Sequence, residues 1–254
     1  MLIFHSCLTK EGSALQTLVR GQPTKASYNN CVGGQVGGTE GSSGPGKTMK
    51  GKAEIFEFDF PLVAFVLAGG RSTRMGRNKA LLKFADGYLI DYPIHVLRQV
   101  TSDVRIIGDP ETYSFLGLPV IPDCVESRGP LSGIYSALKT SPSLYNLIVG
   151  CDMPQISSHF LQLLLAKASL GDAVMMKFDD GLVEPLCSLY SKDCLQAIQE
   201  NFSRKEYKIS EVLRGLKVAY VSESEIFQLG LSREIFTNVN TPEDWEKLQA
   251  ENPP

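Results

Sequence analysis

The segment Leu62–Ala68 constrains the fold of this 254-residue chain more than any other part of it. All seven of its residues are apolar, and the run ends at Gly69-Gly70. A continuous apolar run of this length, bounded by glycines, is typical of a β-strand that is buried on both faces. Such strands occur mainly in parallel sheets that carry helices on both sides, so the segment predicts an α/β domain. It is far shorter than the roughly 18 apolar residues of a membrane span.

The chain beyond this strand alternates between strand and helix patterns. Apolar runs predict strands at 104–107, 119–121, 144–149 and 218–221, and amphipathic periodicity predicts helices at 91–100, 130–139, 160–168, 193–202, 209–213 and 242–250. Two further runs, 173–178 and 182–190, flank Asp179-Asp180-Gly181, a turn typical of an antiparallel hairpin. Because alternating strands and helices form mainly parallel sheets, we predict a three-layer α/β fold with one antiparallel hairpin.

The N-terminal residues differ from the rest of the chain in charge and in composition. Residues 1–52 contain six basic and two acidic residues, a formal charge of +4, whereas the rest contain 19 basic and 26 acidic residues, a charge of −7. Segment 27–48 is rich in Gly, Ser, Asn and Thr, so it cannot bury enough apolar surface to offset its chain entropy. We predict that residues 1–60 are a disordered extension, or the product of a start codon assigned upstream of a true start at Met49. Residues 61–254 are predicted to form a single domain.

One motif in this extension imitates a nucleotide-binding loop. Gly41–Thr48 fits the phosphate-binding pattern G-x-x-x-x-G-K-[ST], which works only between a buried strand and a helix. The eight residues before it include four glycines, and Met49-Lys-Gly-Lys follows it, so neither flank has the required pattern. We interpret the match as a coincidence, with a P-loop GTPase as the alternative.

The composition excludes several classes of function. The net charge of −3 argues against general binding of nucleic acid. Six cysteines without a Cys-x-x-Cys spacing and three scattered histidines give no zinc pattern. The apolar stretch at Leu2–Phe4 is too short for a secretory signal. A reduced, cytoplasmic protein is therefore expected, with neither nucleic acid nor a membrane as a partner.

The loop after the first strand has the features of a phosphate-binding site. Gly69-Gly70 allows consecutive backbone amides to surround an anion. Four cations follow within nine residues, namely Arg71, Arg74, Arg77 and Lys79. Because the surrounding domain is acidic, this concentration of positive charge predicts a site for phosphate groups.

The third and fourth predicted strands are each followed by an aspartate, Asp123 and Asp152. In open α/β sheets the ligand lies at the carboxyl ends of the strands, so both carboxylates are expected near the basic loop. A carboxylate repels a polyphosphate unless a cation intervenes, which indicates Mg²⁺, most strongly at Asp152. Gly129–Gly133 opens the helix after the third strand, where backbone amides could face a nucleotide.

Four motifs in this order resemble the molybdenum cofactor nucleotidyltransferase family, and within it the guanylyltransferases. They are Leu67–Lys79 (Leu-Ala-Gly-Gly-x-Ser-x-Arg-Met-Gly-x-x-Lys), Gly129-Pro-Leu-x-Gly133, Cys151-Asp-Met-Pro154 and Asn238-Val-Asn-Thr-Pro-Glu-Asp244. The resemblance covers about residues 62–250 and implies a Rossmann-like nucleotidyltransferase fold. It implies an enzyme that transfers GMP from GTP to molybdopterin, forming the guanine dinucleotide form of the molybdenum cofactor and pyrophosphate, with Mg²⁺ as cofactor. Its implied partners include cofactor-delivery proteins or molybdoenzyme chaperones.

The resemblance also implies a role for individual residues. Those of the nucleotide site would be Leu67, Ala68 and Gly69 at the guanine, Gly70 to Arg74 at the phosphates, Lys79 near the α-phosphate, and Asp123. Asp152 would bind Mg²⁺, and Asn238 and Asn240 would lie on the molybdopterin side. Arg74, Lys79 and Asp152 would be the catalytic residues. The chain departs from the family at Asn78, where Asp is frequent, but the lysine that follows is in place.

Phosphate binding by itself does not identify the base or the acceptor. A cytidylyltransferase acting on the same cofactor, or another nucleotidyltransferase such as a sugar-nucleotide pyrophosphorylase, therefore stays an alternative. A non-catalytic nucleotide-binding protein is the alternative from another class. The presence of both aspartates and the lysine argues against that second alternative.

Overall fold

A mixed β-sheet organises the fold in the computed structural model, which describes residues 60–69, 78–84, 87–126 and 128–251. Its strands, and those of a separate short hairpin, are β1 (Leu62–Leu67), β2 (Lys83–Phe84), β3 (Gly87–Tyr88), β4 (Val104–Ile107), β5 (Val120–Ile121), β6 (Tyr145–Gly150), β7 (Ala173–Lys177), β8 (Val183–Ser191) and β9 (Val218–Ser222). The helices are α1 (Asp91–Leu97), α2 (Pro110–Tyr113), α3 (Pro130–Thr140), α4 (Ser158–Ala166), α5 (Cys194–Ser203), α6 (Ile209–Leu213), α7 (Glu223–Gln228) and α8 (Pro242–Glu251). All described residues belong to one compact unit.

The large sheet has seven strands within the described ranges, in the order β5-β4-β1-β6-β8-β7-β9. β1 lies between β4 and β6 and is parallel to both, with Leu67 opposite Ile107 on one side and Gly150 on the other. The carboxyl ends of these three strands therefore meet at one edge of the sheet. This edge is where the sequence predicts the ligand.

The other half of the sheet contains the predicted hairpin. β8 is antiparallel to both β6 and β7, and β9 is parallel to β7. The mainly parallel α/β fold with an antiparallel hairpin is thus confirmed. Because β8 runs against β6, its first residues extend beyond the carboxyl end of β6 and reach the same edge.

The core explains why β1 is apolar throughout. Val63 and Phe65 point into a cluster that includes residues of α3, whereas Ala64 and Val66 point into a cluster on the opposite face that includes residues of α4. All four side chains are at most 1% exposed. A strand covered on both faces has no solvent side, so alternation of polar and apolar residues is lost.

Several short elements were not predicted. The strands β2 and β3, the four-residue α2 and the six-residue α7 are too short to show a reliable apolar period. α7 is instead marked by a capping box between Ser222 and Glu225. The helix predicted to reach residue 100 ends at Leu97. No helix among the described residues is long and apolar enough to cross a membrane. The predicted extension up to residue 59, with Gly41–Thr48 and Met49, lies outside the described residues.

Candidate active site

Lys79 and Asp152 form an ion pair at the centre of the sheet edge. Lys79 Nζ lies 2.5 Å from Asp152 Oδ2, and the two side chains are 24% and 10% exposed. The same ammonium group donates a hydrogen bond to Asn240 Oδ1 at 3.1 Å. Three segments that are far apart in sequence therefore converge on one ammonium group. A charge-assisted contact of this kind is strong in a partly buried site.

The backbone around Asp152 explains how its carboxylate reaches this position. A Cβ atom on Gly150 would lie only 2.6 Å from Asp152 Oδ1, so a residue with a side chain there would displace the carboxylate. On its other side, the backbone amide of Val239 donates to the Asp152 carbonyl at 2.9 Å. The end of β6 is thereby joined to the loop that carries Asn240.

Asp244 fixes the loop between Val239 and α8. Its Oδ2 atom accepts hydrogen bonds from the backbone amides of Asn240 (3.0 Å) and Thr241 (2.9 Å). The Asp244 amide donates in return to Thr241 Oγ1 at 3.2 Å, which completes a capping box at the start of α8. These bonds, the one from Asn240 first, lower the pKa of Asp244. The predicted cap Thr241 is therefore present, and it holds Asn240 beside Lys79.

Asp123 occupies a different environment at the same edge. A Cβ on Gly69 would lie 3.1 Å from Asp123 Oδ2, so the carboxylate faces the first glycine after β1. Ser136 Oγ lies 3.2 Å from Asp123 Oδ1 and 2.8 Å from the Ser132 carbonyl, and its single proton serves one of them at a time. Burial raises the pKa of Asp123, and the Ser136 hydroxyl partly offsets this.

The first turns of α3 lie close to the end of β1. A Cβ on Gly133 would lie 3.3 Å from both methyl carbons of Leu67. The absence of a side chain at Gly133 thus lets the helix approach the strand end. This contact brings two of the predicted motifs together.

Tyr113 was not predicted as a site residue, yet it contacts both Ala68 and Asn78, the residues on either side of the predicted phosphate-binding loop. Its hydroxyl group donates to the Ala68 carbonyl at 3.0 Å and accepts from Asn78 Nδ2 at 2.9 Å. Asn78 Oδ1 in turn accepts from the Ala80 amide at 3.1 Å and caps the short 3₁₀ turn Lys79–Leu81. Burial is the main reason that the pKa of Tyr113 rises to about 12, so the hydroxyl stays a proton donor.

This network gives a physical meaning to Asn78, the position at which the resemblance implies that Asp is frequent. An amide can donate through Nδ2 and accept through Oδ1 at the same time, and here it does both. The single Tyr113 proton has two acceptors within reach, the Ala68 carbonyl at 3.0 Å and Asn78 Oδ1 at 3.2 Å. No signal in the sequence marked Tyr113, because a tyrosine in a four-residue helix has no distinctive pattern.

Glu184 is a second residue that the sequence did not single out. It lies near the start of β8, and the pairing of Val149 with Cys187 carries this end of β8 past the end of β6. Its Oε1 atom accepts a hydrogen bond from the Leu186 amide at 2.8 Å. Burial first, and the charge of Asp152 in addition, raise the pKa of Glu184. A carboxyl group three residues after the hairpin turn could have been noticed, since the hairpin returns the chain to the ligand edge.

The predicted site residues can now be placed. The structure brings Lys79, Asp152 and Asn240 into direct contact, and it sets Asp123 against Gly69. Asn238 is half-buried at the start of the same loop as Asn240. Gly70 and Arg74, with the neighbouring cations Arg71 and Arg77, lie outside the described residues.

Comparison with known proteins gives a consistent result. Residues 64–221 match the family described as the MobA-like NTP transferase domain. A probable molybdenum cofactor guanylyltransferase of Pelotomaculum thermopropionicum is 37% identical over 190 residues, which are 74% of this chain and 92% of that protein. A molybdenum cofactor guanylyltransferase of Syntrophotalea carbinolica is 31% identical over 193 residues, 75% of this chain and 91% of that protein.

A comparison of folds agrees with the comparison of sequences. The crystal structure of molybdopterin-guanine dinucleotide biosynthesis protein A from Archaeoglobus fulgidus matches with a TM-score of 0.65 at 22% identity, covering 74% of this chain and 97% of that one. The resemblance seen in the four sequence motifs is confirmed by these matches. The chain belongs to the MobA-like NTP transferase family and is a nucleotidyltransferase.

Proposed function

We propose that this nucleotidyltransferase transfers GMP from GTP to molybdopterin, with Mg²⁺ as cofactor. The observation that carries the proposal is the contact of one ammonium group, that of Lys79, with both Asp152 and Asn240. It joins the strand end where a nucleotide and its metal would bind to the loop assigned to the second substrate. The curated relatives named as guanylyltransferases support the choice of GTP.

The transfer needs positioned charges more than a protein nucleophile. A phosphate oxygen of molybdopterin would attack the α-phosphorus of GTP, and the bond from that phosphorus to the α–β bridging oxygen would break. Pyrophosphate leaves with the electron pair of that bond. Negative charge spreads over the phosphoryl oxygens in such transition states, so fixed cations stabilise them. Lys79 and Arg74 are the residues that we assign to this task.

The oxygen atoms of Asp152 and Asn240 are suitable ligands for Mg²⁺. The described residues include no group of three or more Cys, His, Asp or Glu side chains that could hold a metal by themselves. Mg²⁺ needs no such group, because it commonly binds one or two carboxylates and takes its other ligands from substrate phosphates and water. Asp152 and the amide oxygen of Asn240 are hard oxygen donors of the right kind. When bound, the ion would neutralise charge on the triphosphate.

The Lys79–Asp152 pair would have to exchange partners when substrate binds. In the structure each charge satisfies the other at 2.5 Å. An incoming phosphate competes for the ammonium group, while a metal ion competes for the carboxylate. Both charges thus stay compensated before and after binding, which avoids the cost of an unpaired buried charge.

The nucleotide would bind at the end of β1, on the side of the sheet edge that carries Asp123. Leu67, Ala68 and Gly69 would contact the guanine through the end of β1, with the phosphates at Gly70 to Arg74. Asp123 faces Gly69 and could accept hydrogen bonds from the base or the ribose. A cytoplasmic location, and partner proteins that deliver or receive the cofactor, stay predictions.

The decisive experiment uses the purified full chain with Mg²⁺, molybdopterin and each of the four nucleoside triphosphates in turn. Release of pyrophosphate with GTP only, together with a guanine dinucleotide product in mass spectrometry, is the expected result. Release with CTP only would replace the proposal by a cytidylyltransferase. Reactions without molybdopterin are the control, because pyrophosphate formed there would point to another acceptor.

Removal of residues 1–48 separates the proposal from a P-loop GTPase. We expect the shortened protein to retain its turnover of GTP with molybdopterin, since every residue assigned to the site lies after residue 66. If GTP turnover disappears while the remaining chain stays folded, Gly41–Thr48 takes part in function. N-terminal sequencing of the native protein tests the Met49 start separately, because peptides from residues 1–48 would exclude it.

A further inference from the structure

A cavity of about 500 Å³ lies beside the proposed transfer site, and no role has been assigned to it so far. The residues that line it include Phe178 and Leu182 of the β7–β8 hairpin, Glu184 of β8, and Arg233 and Phe236 before the Asn240 loop. Thr237, three residues before Asn240, lines it as well. The volume is within the range typical of small-molecule sites.

Two aromatic side chains, Phe178 and Phe236, form part of the cavity lining and are 7% and 6% exposed. The rings of Phe178 and Phe236 pack edge to face, with centroids 5.4 Å apart and an interplanar angle of 87°. The Arg233 guanidinium lies over the Phe178 ring, 4.2 Å from its centroid, and forms an ion pair with Asp180 at 2.8 Å. Its charge is therefore partly compensated, and the stack gives the wall a fixed shape.

Glu184 sets the polarity of this cavity. The carboxylate lies close enough to Asp152 to feel its charge, and burial penalises its ionised form. Among the described residues, the Leu186 amide donates a hydrogen bond to Glu184 Oε1. A carboxylate has about four acceptor positions on its two oxygens, so it can accept further hydrogen bonds. An occupant that offers donors would stabilise it, whereas an occupant that offers a phosphate would be repelled.

These properties identify which end of the second substrate fits. Molybdopterin has a phosphate at one end, which must reach the α-phosphorus near Lys79 and Asp152, and a pterin at the other. The pyrimidine part of a pterin carries a ring N–H and an exocyclic amino group side by side. These two donors can meet the two oxygens of one carboxylate, as a guanidinium group does.

We propose that the cavity between the β7–β8 hairpin and residues 233–237 binds the pterin ring, and that Glu184 reads its N–H and amino donors. This inference rests on the proposed function, since it assumes that molybdopterin is the acceptor. Guanine carries the same pair of donors, so Glu184 could in principle read the nucleotide instead. The position of Glu184 on the β8 side of Asp152, away from Asp123 and Gly69, favours the pterin.

The first test compares Glu184→Gln with the wild-type protein in steady-state kinetics. Gln keeps an acceptor for the Leu186 amide but presents donors to the donors of the pterin. We expect the KM for molybdopterin to rise at least about tenfold while the KM for GTP stays within about twofold. Glu206→Gln is the matched control, because it makes the same charge change at an exposed residue that does not line the cavity.

The outcomes distinguish the two proposals. A raised KM for GTP with an unchanged KM for molybdopterin would assign Glu184 to the guanine and overturn the inference. Unchanged constants for both would overturn it as well. If the wild-type protein forms no product from molybdopterin and any nucleotide, the proposed function itself fails. Thermal unfolding of both variants ensures that the kinetic change is not a loss of fold.

A binding experiment tests the recognition without turnover. The fluorescence of 6-hydroxymethylpterin and of 6-hydroxymethyllumazine, which has an oxygen in place of the 2-amino group, is titrated with protein. We expect the wild-type protein to prefer the pterin by about tenfold, and Glu184→Gln to lose this preference. Equal binding of the two compounds by the wild-type protein would contradict the proposed contact.

Discussion

Two sides of the same sheet edge hold their polar groups by different interactions. On the charged side, formed by Lys79, Asp152 and Asn240, opposite charges lie in direct contact. On the hydroxyl side, formed by Asp123, Ser136 and Tyr113, neutral hydroxyl groups supply the hydrogen bonds to Asp123 and Ala68. The charged side is suited to stabilising charge that develops during a reaction, and the hydroxyl side is suited to orienting a ligand.

The difference matters because the two strand-end aspartates looked alike in the sequence. Both follow short apolar strands of the parallel half of the sheet. Asp152 forms an ion pair with Lys79. Asp123 instead lies near a serine hydroxyl, that of Ser136, and burial raises its pKa. We therefore expect loss of Asp152 to affect turnover and loss of Asp123 to affect nucleotide affinity.

The largest effect is expected on the charged side. Lys79→Ala and Asp152→Asn should each lower kcat by about 100- to 1000-fold, because each removes a charge aimed at the reacting phosphates. The measurement is pyrophosphate release at saturating substrates. Lys167→Ala is the matched control, since Lys167 forms a similar ion pair with Glu225 at 2.7 Å outside the site. Near-normal turnover in either site variant would end the assignment of roles.

A smaller effect of a different kind is expected at Asp123. Asp123→Asn keeps the shape of the side chain but removes its charge, so hydrogen bonds to the nucleotide should weaken. We expect the KM for GTP to rise about tenfold, with kcat and the KM for molybdopterin nearly unchanged. Steady-state kinetics with each substrate varied in turn gives both constants. A fall in kcat of the size expected for Asp152→Asn would show that the two sides do not differ as we propose.

Loss of the Tyr113 hydroxyl should affect both the stability of the fold and kcat, with a smaller fall in kcat than at Lys79 or Asp152. Tyr113→Phe leaves the Ala68 carbonyl without its donor and Asn78 Nδ2 without its acceptor, which should cost about 1–3 kcal/mol of unfolding free energy. Because Asn78 caps the turn that carries Lys79, kcat should fall several-fold even at temperatures where the variant is fully folded. Denaturant unfolding and kinetics measure the two effects.

Two companions make the Tyr113 result interpretable. Tyr135→Phe removes a hydroxyl that, among the described residues, accepts a hydrogen bond from Gln199 Nε2 at 3.3 Å, and it should leave kcat unchanged. Asn78→Asp replaces the donor to Tyr113 by a second acceptor, so it should harm the wild-type protein more than the Tyr113→Phe variant. Equal effects in both backgrounds would mean that Asn78 and Tyr113 do not act together.

The smallest effect concerns pH. The pKa of Asp123 is raised in the folded protein, so the folded state holds this proton more tightly than the unfolded state. Its contribution to stability is therefore present below the unfolded pKa and is lost as the pH rises through the folded pKa. Asn does not titrate, so the Tm of Asp123→Asn relative to the wild type should become more positive as the pH rises above the unfolded pKa of about 4. A relative Tm that falls over this range would contradict the buried environment of Asp123.

Much of the fold could be predicted because its signals are local. The apolar run of β1 reflects burial on both faces, and Asp179-Asp180-Gly181 produced the hairpin that its sequence predicts. Two-residue strands such as β2 and β3 carry no such signal, since their pairing depends on contacts with Trp245 and other distant residues in a small separate cluster.

The candidate site was predicted in part for the same reason. Lys79, Asp123 and Asp152 follow strands or glycine turns, and the ligand rule for parallel sheets assigns such residues to one edge. Tyr113 and Glu184 follow no such rule. Tyr113 fits because Gly108 leaves room for its ring, where a Cβ would come within 2.9 Å. Glu184 reaches the site because β8 is antiparallel.

The sequence alone determined that this chain forms a mainly parallel α/β sheet with glycine, lysine and aspartate residues at its strand ends. Burial, turn chemistry and strand polarity are encoded over a few residues, and they are sufficient for that conclusion. Only the tertiary structure decided which aspartate pairs with Lys79, which tyrosine holds Asn78, and which glutamate reaches the cavity. Those choices depend on strand order and register, which bring together residues more than 30 positions apart.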